Sequence, residues 1–225
     1  MATRLLFWIA ALLVPGAVIY SILDQRSSEP PFTVLGKNNT VLFLSNYEYG
    51  LANTLLASAH SLLVHHPGVK VHFASFPKRE KDTTALSKFA IDQNPSASPI
   101  SFHRFKGPCY GDSLQATGHF IEETIHAPGV RGGAKLCQDM QKYLMPWNAS
   151  SYYDLYEEAL AIIDQVDPAV VALDPQFGPG LDATKARHRK HAVVSPNSLR
   201  DNFAQMQPYG AMFWKYPACV SHNAI

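Results

Sequence analysis

The segment Thr40–Ser75, TVLFLSNYEYGLANTLLASAHSLLVHHPGVKVHFAS, decides how this chain folds. Thr40–Leu44 is a short, nearly continuous apolar run, the pattern of a parallel strand covered on both faces. A polar loop, Ser45–Gly50, follows. In the next stretch Leu51, Leu55, Leu56, Ala59, Leu62 and Leu63 recur at helical spacing on one face, until His65-His66-Pro67-Gly68 stops the helix. Val69–Ser75 is a second apolar run. Strand, helix and strand in this order form a βαβ unit with a right-handed crossover.

The same alternation extends along the chain. A helix is expected around Ala85–Asp92 and a third strand over Ile100–Phe105. Segment 106–150 shows no clear period. Ser151–Val166 is the clearest helix, with Tyr152, Leu155, Tyr156, Ala159, Leu160, Ile163 and Val166 in phase and Ser150 or Ser151 as its N-cap. Ala169–Asp174 is a fourth strand, a short helix starts at Gly180, and His191–Ser195 is a fifth strand. The fold class is therefore α/β, an open and mostly parallel sheet. In such sheets ligands bind beyond the carboxyl ends of the strands. That singles out Ser45–Gly50, Ser75–Lys78, Lys106–Tyr110, Asp174–Gly180 and Ser195–Ser198.

The chain has 225 residues, 47% hydrophobic and 16% charged, enough for one substantial core and too apolar for disorder. Nineteen basic against 18 acidic residues, a net charge of +1, argue against a nucleic-acid-binding basic face. The three cysteines, Cys109, Cys137 and Cys219, are too few for a disulfide framework or a zinc site; at most Cys109 pairs with Cys137. Before the globular part, Leu5–Leu23 carries no charge and is long enough to span a bilayer. It is expected to be an uncleaved anchor rather than a signal peptide, since no small-residue cleavage site follows Leu23. Residues 24–39, with a double proline, form the linker. Two sequons, at Asn38 and Asn148, are glycosylation acceptors if the body faces the lumen, and the K/R distribution does not decide the side.

Several local patterns bear on chemistry. Gly178-Pro179-Gly180-Leu181-Asp182-Ala183 fits a loose dinucleotide loop, but the following strand ends without an acidic residue to hold a ribose, so a tight strand-to-helix turn is the favoured reading. An NAD-dependent oxidoreductase, which would need that loop to bind its cofactor, is correspondingly disfavoured. Asp174 ends the fourth strand, where a carboxylate either orients a histidine base or caps the backbone of its turn; position alone favours the cap. Glu48 is the only ordinary candidate base in the first loop. His188 and His191, in the run RHRKH, have HxxH spacing but no third ligand, and no metal is expected.

The blocks NYEYGLANTLLASAHSLL, VKVHFASF, VVALDPQFGPGLDA and VVSPNSLRDNFAQMQPYGAMFWKYP, spread over residues 40–217, resemble the N-terminal half of the family one UDP-glycosyltransferases, most nearly fungal ones. The resemblance implies a Rossmann-like acceptor domain of a two-domain (GT-B) glycosyltransferase. In that family a histidine after the first strand deprotonates an acceptor hydroxyl, an aspartate after a later strand orients the histidine, and a second domain holds the UDP-sugar. Carried over, the aspartate falls on Asp174 and the base position on Tyr49. A tyrosine with an ordinary pKa near 10 is a poor base at neutral pH, and Glu48 is the possible substitute.

Residues 218–225 no longer resemble the family, and its donor domain is missing, so truncation is expected and no cofactor other than the UDP-sugar substrate is implied. The expected acceptor is a small lipophilic molecule, a sterol or secondary metabolite. Its pocket would be lined by Phe105, Tyr110, Phe177, Ser195 and Asn197, with Phe203 and Trp214 as further aromatics that are as readily core. The expected site of action is the endoplasmic reticulum membrane. Alone, the chain would be silent in catalysis. The rival reading is a non-catalytic, membrane-tethered partner that recruits a separate donor-domain chain or holds a lipophilic ligand.

Overall fold

Five parallel strands in the order β3-β2-β1-β4-β5 form the sheet of this computed structural model, which describes residues 32–118, 127 and 129–196. The elements are β1 (Lys37–Leu44), α1 (Tyr49–His65), β2 (Lys70–Ser75), a 3-10 turn (Pro77–Arg79), α2 (Glu80–Gln93), β3 (Ser101–Arg104), α3 (Tyr110–Ala116), α4 (Val130–Leu144), α5 (Ala149–Val166), β4 (Pro168–Leu173), α6 (Gly178–Ala186) and β5 (His191–Val193). Each strand expected from the sequence is present. The sheet and all the elements named above belong to the unit that begins at Val34. The expected anchor, Leu5–Leu23, lies outside the described residues. Among the described residues no helix is long and apolar enough to cross a membrane.

The continuous apolar character of β1 follows from its position between β2 and β4. Leu42 and Leu44 enter one core with Leu155, Ile163, Leu173, Phe177 and Ala183. Phe43, between them, enters the other with Leu55, Ala59, Leu63, Val71 and Phe73. Helices thus cover both faces, and every β1 side chain from Leu42 to Leu44 is buried. Full burial of one such leucine or phenylalanine is worth about 1.5–3 kcal/mol.

Several boundaries differ from the sequence reading. The first strand starts at Lys37 rather than Thr40, because its early residues pair with the start of β4 at Pro168. A Cβ on Gly36 would lie 2.1 Å from the Pro168 carbonyl oxygen, so only glycine admits this approach. α2 begins at Glu80, ahead of Ala85, its first turn carrying Glu80 and Asp82 where acidic residues favour the helix dipole. α5 is capped by Asn148, whose Oδ1 accepts from the Ser151 N–H at 2.9 Å, in place of Ser150 or Ser151. Segment 106–150, without a legible period, contains α3 and α4.

Successive units run outward from β1 to β3 in one direction and from β4 to β5 in the other. The switch therefore lies between β1 and β4, the place where open α/β sheets of this kind receive ligands.

Candidate functional site

Asn46, fully buried just beyond β1, organises the switch point. Its backbone N–H donates to Asp174 Oδ2 at 3.1 Å. Its carbonyl accepts the hydroxyls of Ser45 at 2.9 Å and Ser75 at 3.1 Å. Its side-chain Oδ1 accepts the backbone N–H of Tyr47 at 3.1 Å and of Tyr110 at 3.2 Å. One residue thus ties together the ends of β1, β2 and β4 and the first turn of α3.

Asp174 is 1% exposed. Its backbone N–H donates to the Leu44 carbonyl at 3.0 Å, extending the β1–β4 ladder. Its Oδ1 accepts the Gln176 N–H at 2.8 Å, while Oδ2 holds the Asn46 N–H. Burial pushes its pKa above the usual carboxylate value, and those two N–H groups pull it part of the way back. The carboxylate closes its own turn and the facing loop, which is the capping geometry favoured from position alone.

Glu48 faces inward, a placement its sequence position did not show. Its Oε1 accepts the Gly111 N–H at 2.8 Å, so Asn46 and Glu48 together satisfy two of the four N–H groups left open at the start of α3. Glu48 Oε2 is buried without a partner, as are Asn46 Nδ2 and Ser113 Oγ. Burial raises the Glu48 pKa, three backbone N–H groups oppose the rise, and the nearby charge of Asp174 adds to it.

Tyr49, at the base position implied by the family resemblance, is 57% exposed. Its ring meets Tyr47 edge-on at 5.7 Å and lies over the Arg79 guanidinium, 3.8 Å from the Arg79 carbon to the ring centre. Arg79 is in turn held by the Tyr47 carbonyl at 2.9 Å and Asp82 Oδ2 at 2.7 Å. Tyr49 thus belongs to a stack on Arg79, while the oxygens of Asp174 serve backbone N–H groups.

The expected acceptor residues fall in different environments. Phe105 and Phe177 are fully buried, 5.0 Å apart, and pack with Phe76 in the core, so neither offers a free face. Tyr110 is buried, its hydroxyl donating to the Tyr143 carbonyl at 2.5 Å; burial and then Glu48 raise its pKa. Ser195 is half-buried just past β5. Asn197, Phe203 and Trp214 lie outside the described residues. Asn38 and Asn148 are both exposed, and the Asn148 cap uses Oδ1 rather than the amide nitrogen that a glycan would occupy.

The glycine-rich turn after β4 serves packing. A Cβ on Gly180 would come within 2.5 Å of Phe177 Cδ1, so glycine lets α6 sit on the core aromatic. Cys109 and Cys137 are both free, the first buried and the second exposed, so the pairing allowed by counting does not form. Burial pushes the Cys109 thiol up to about 11, which keeps it protonated and unreactive at neutral pH. No cluster of three metal-ligating side chains occurs among the described residues. Asn46 and Arg79 were not singled out from sequence. For Asn46 the available signal was an asparagine directly after a buried strand; Arg79, in a charged loop, carried none.

No protein-family model matches the chain. The chain is similar to the glycosyltransferase sdnJ of Sordaria araneosa, with 28% identity over 188 residues. The match covers 81% of this chain and 36% of that relative, so the chain spans little more than a third of the protein it resembles. The likeness is to a sugar-transferring protein.

Proposed function

We propose that this chain is the acceptor-binding half of a sugar-transfer protein, one whose full-length relatives move a sugar from a UDP-sugar to a small lipophilic acceptor such as a sterol or secondary metabolite. The similarity to a glycosyltransferase over 81% of the chain carries this reading. The parallel sheet supports it, with its strand order reversing between β1 and β4, the place where open α/β sheets receive ligands. In this reading Leu5–Leu23 tethers the body to the endoplasmic reticulum membrane, and Asn38 and Asn148 are its glycan sites on a lumenal body.

On its own the chain is silent in catalysis in this reading. Transfer to a hydroxyl is helped by a base within hydrogen-bond reach. Tyr49 is engaged with Arg79, and Asp174 is buried with both oxygens on backbone N–H groups. Glu48 retains one free acceptor oxygen and is the residue of this loop able to take a proton. The engagement of Tyr49 and Asp174 also favours a second reading, a non-catalytic tethered partner that holds the acceptor while another chain supplies the donor site.

Thermal-shift titration of the chain with UDP-glucose and with a panel of lipophilic alcohols tests the assignment. Members of the panel are expected to raise Tm and UDP-glucose to leave it unchanged. Stabilisation by UDP-glucose and by no lipophile overturns the acceptor-half reading.

A further inference from the structure

A groove of about 410 Å³ runs between α1 and α2, lined by Tyr49, Asn53, Leu56, Arg79, Asp82 and Phe89 among others. Its wall is mainly apolar, and its two aromatic members stand open, Tyr49 at 57% and Phe89 at 54% exposure. Its polar end is unusual. The Arg79 side chain is 1% exposed, and its Nη2 has no hydrogen-bond partner. A buried guanidinium with an unmatched donor costs stability unless something completes it.

The other donors of Arg79 are assigned. Nε goes to the Tyr47 carbonyl, and Nη1 goes to Asp82 Oδ2 at 2.7 Å, with Asn53 Oδ1 at 3.5 Å. The Tyr49 ring lies across the guanidinium at 3.8 Å, with the Tyr47 ring farther off at 5.4 Å. The Tyr49 ring belongs to the first residue of α1 and is 57% exposed, so a side-chain rotation opens that side of the guanidinium to the groove. Rotamer changes of exposed residues occur in picoseconds to nanoseconds. A ligand that presents an anionic oxygen to Nη2 and lays an apolar body along Leu56 and Phe89 satisfies the donor and covers the exposed aromatic surface together. A planar carboxylate suits a guanidinium edge.

We propose that this groove binds an apolar carboxylic acid, with the free arm of Arg79 as the anchor for its carboxylate. The proposal rests on the acceptor-half reading only in identifying that acid as the acceptor. It also accounts for a tyrosine at position 49: the side chain there closes over a recognition arginine.

The test is calorimetric titration of the full chain with 1-naphthoate and with its uncharged methyl ester at low salt. The acid is expected to bind at least tenfold more tightly than the ester. Arg79→Gln is expected to bring the acid to the level of the ester. Because Arg79 also supports the Tyr47 loop, Asp82→Asn serves as a second variant: it neutralises the half-exposed carboxylate that shares the guanidinium through Nη1 and is expected to tighten the acid several-fold, leaving the ester unchanged. Equal affinity for acid and ester in the unaltered chain overturns the proposal, as does an Asp82→Asn chain that binds the acid no more tightly. Either outcome leaves the sugar-transfer reading in place, since that reading falls instead on the response to UDP-glucose.

Discussion

At Asp174 a single carboxylate holds two backbone N–H groups, one on its own turn and one on the β1–α1 loop. Asparagine at this position is isosteric, but its amide NH2 must face one of those donors. Asp174→Asn is therefore expected to cost about 2 kcal/mol, read as a lower urea midpoint with an unchanged m-value. A purely catalytic aspartate, free of such bonds, would tolerate the exchange with little loss. Tyr49 gives the complementary test. Placing a histidine there is not expected to create an oriented base, because the Asp174 oxygens are occupied. The Tyr49→His imidazole should therefore stay unpaired with Asp174, its Nδ1 proton exchanging freely with solvent by NMR, and a slowly exchanging downfield Nδ1 proton would show that Asp174 can leave the backbone to orient it. From sequence, Asp174 was legible as a strand-end carboxylate with capping as its favoured role. The inward turn of Glu48 was not, since it depends on α3, which is remote in sequence.

α6 and α5 show how local chemistry sets an element's position. α6 rests on Phe177 because Gly180 has no Cβ, and Gly180→Ala would press a methyl against that ring. The expected cost of this overpacking is about 1–3 kcal/mol, measurable as a fall in Tm with far-UV circular dichroism unchanged. In α5 the cap is Asn148. Asn148→Ala is expected to destabilise the protein by about 1 kcal/mol, whereas Asn148→Asp, which keeps the acceptor oxygen, should hold stability while removing the sequon. α5 was visible in the sequence through its apolar spacing, and α6 as a short helix following the glycine-rich turn. The cap was misplaced by two or three residues because asparagine and serine are close to equivalent at an N-cap, and only the hydrogen bond distinguishes them. α3 escaped notice because seven residues give too few turns for a period, and its open N–H groups are satisfied by a loop far away along the chain.

For the molecule as a whole, pH dependence should come from two opposing sets of groups. His72 on β2 and His103 on β3 share a 3.0 Å contact between ring nitrogens, and burial lowers both pKa values, with His103, Lys37 and Lys70 lowering that of His72 further. A folded-state histidine pKa below its unfolded value of 6.5 means that the unfolded chain binds protons first. Stability from this pair is then full above about pH 6.5 and falls as the solution is acidified. Glu48 and Asp174 act in the opposite sense: their raised values mean that their ionisation costs the folded state, so their contribution declines as pH rises from the ordinary carboxylate range near 4. Between pH 7 and 5 the histidines are expected to dominate. Urea unfolding should show stability falling over that interval, and His72→Gln with His103→Gln should flatten the slope; an unchanged slope would assign it to other groups.

The sequence by itself determined the α/β alternation and the five strands, because buried parallel strands need unbroken apolar runs and helices need a 3.6-residue period. Those signals are local. Only the tertiary structure decided that Asp174 caps a loop, that Glu48 turns inward to α3, and that Tyr49 lies on Arg79. Each of these depends on groups brought together from distant parts of the chain, and burial there dictates which polar atoms must be paired and which remain open to a ligand.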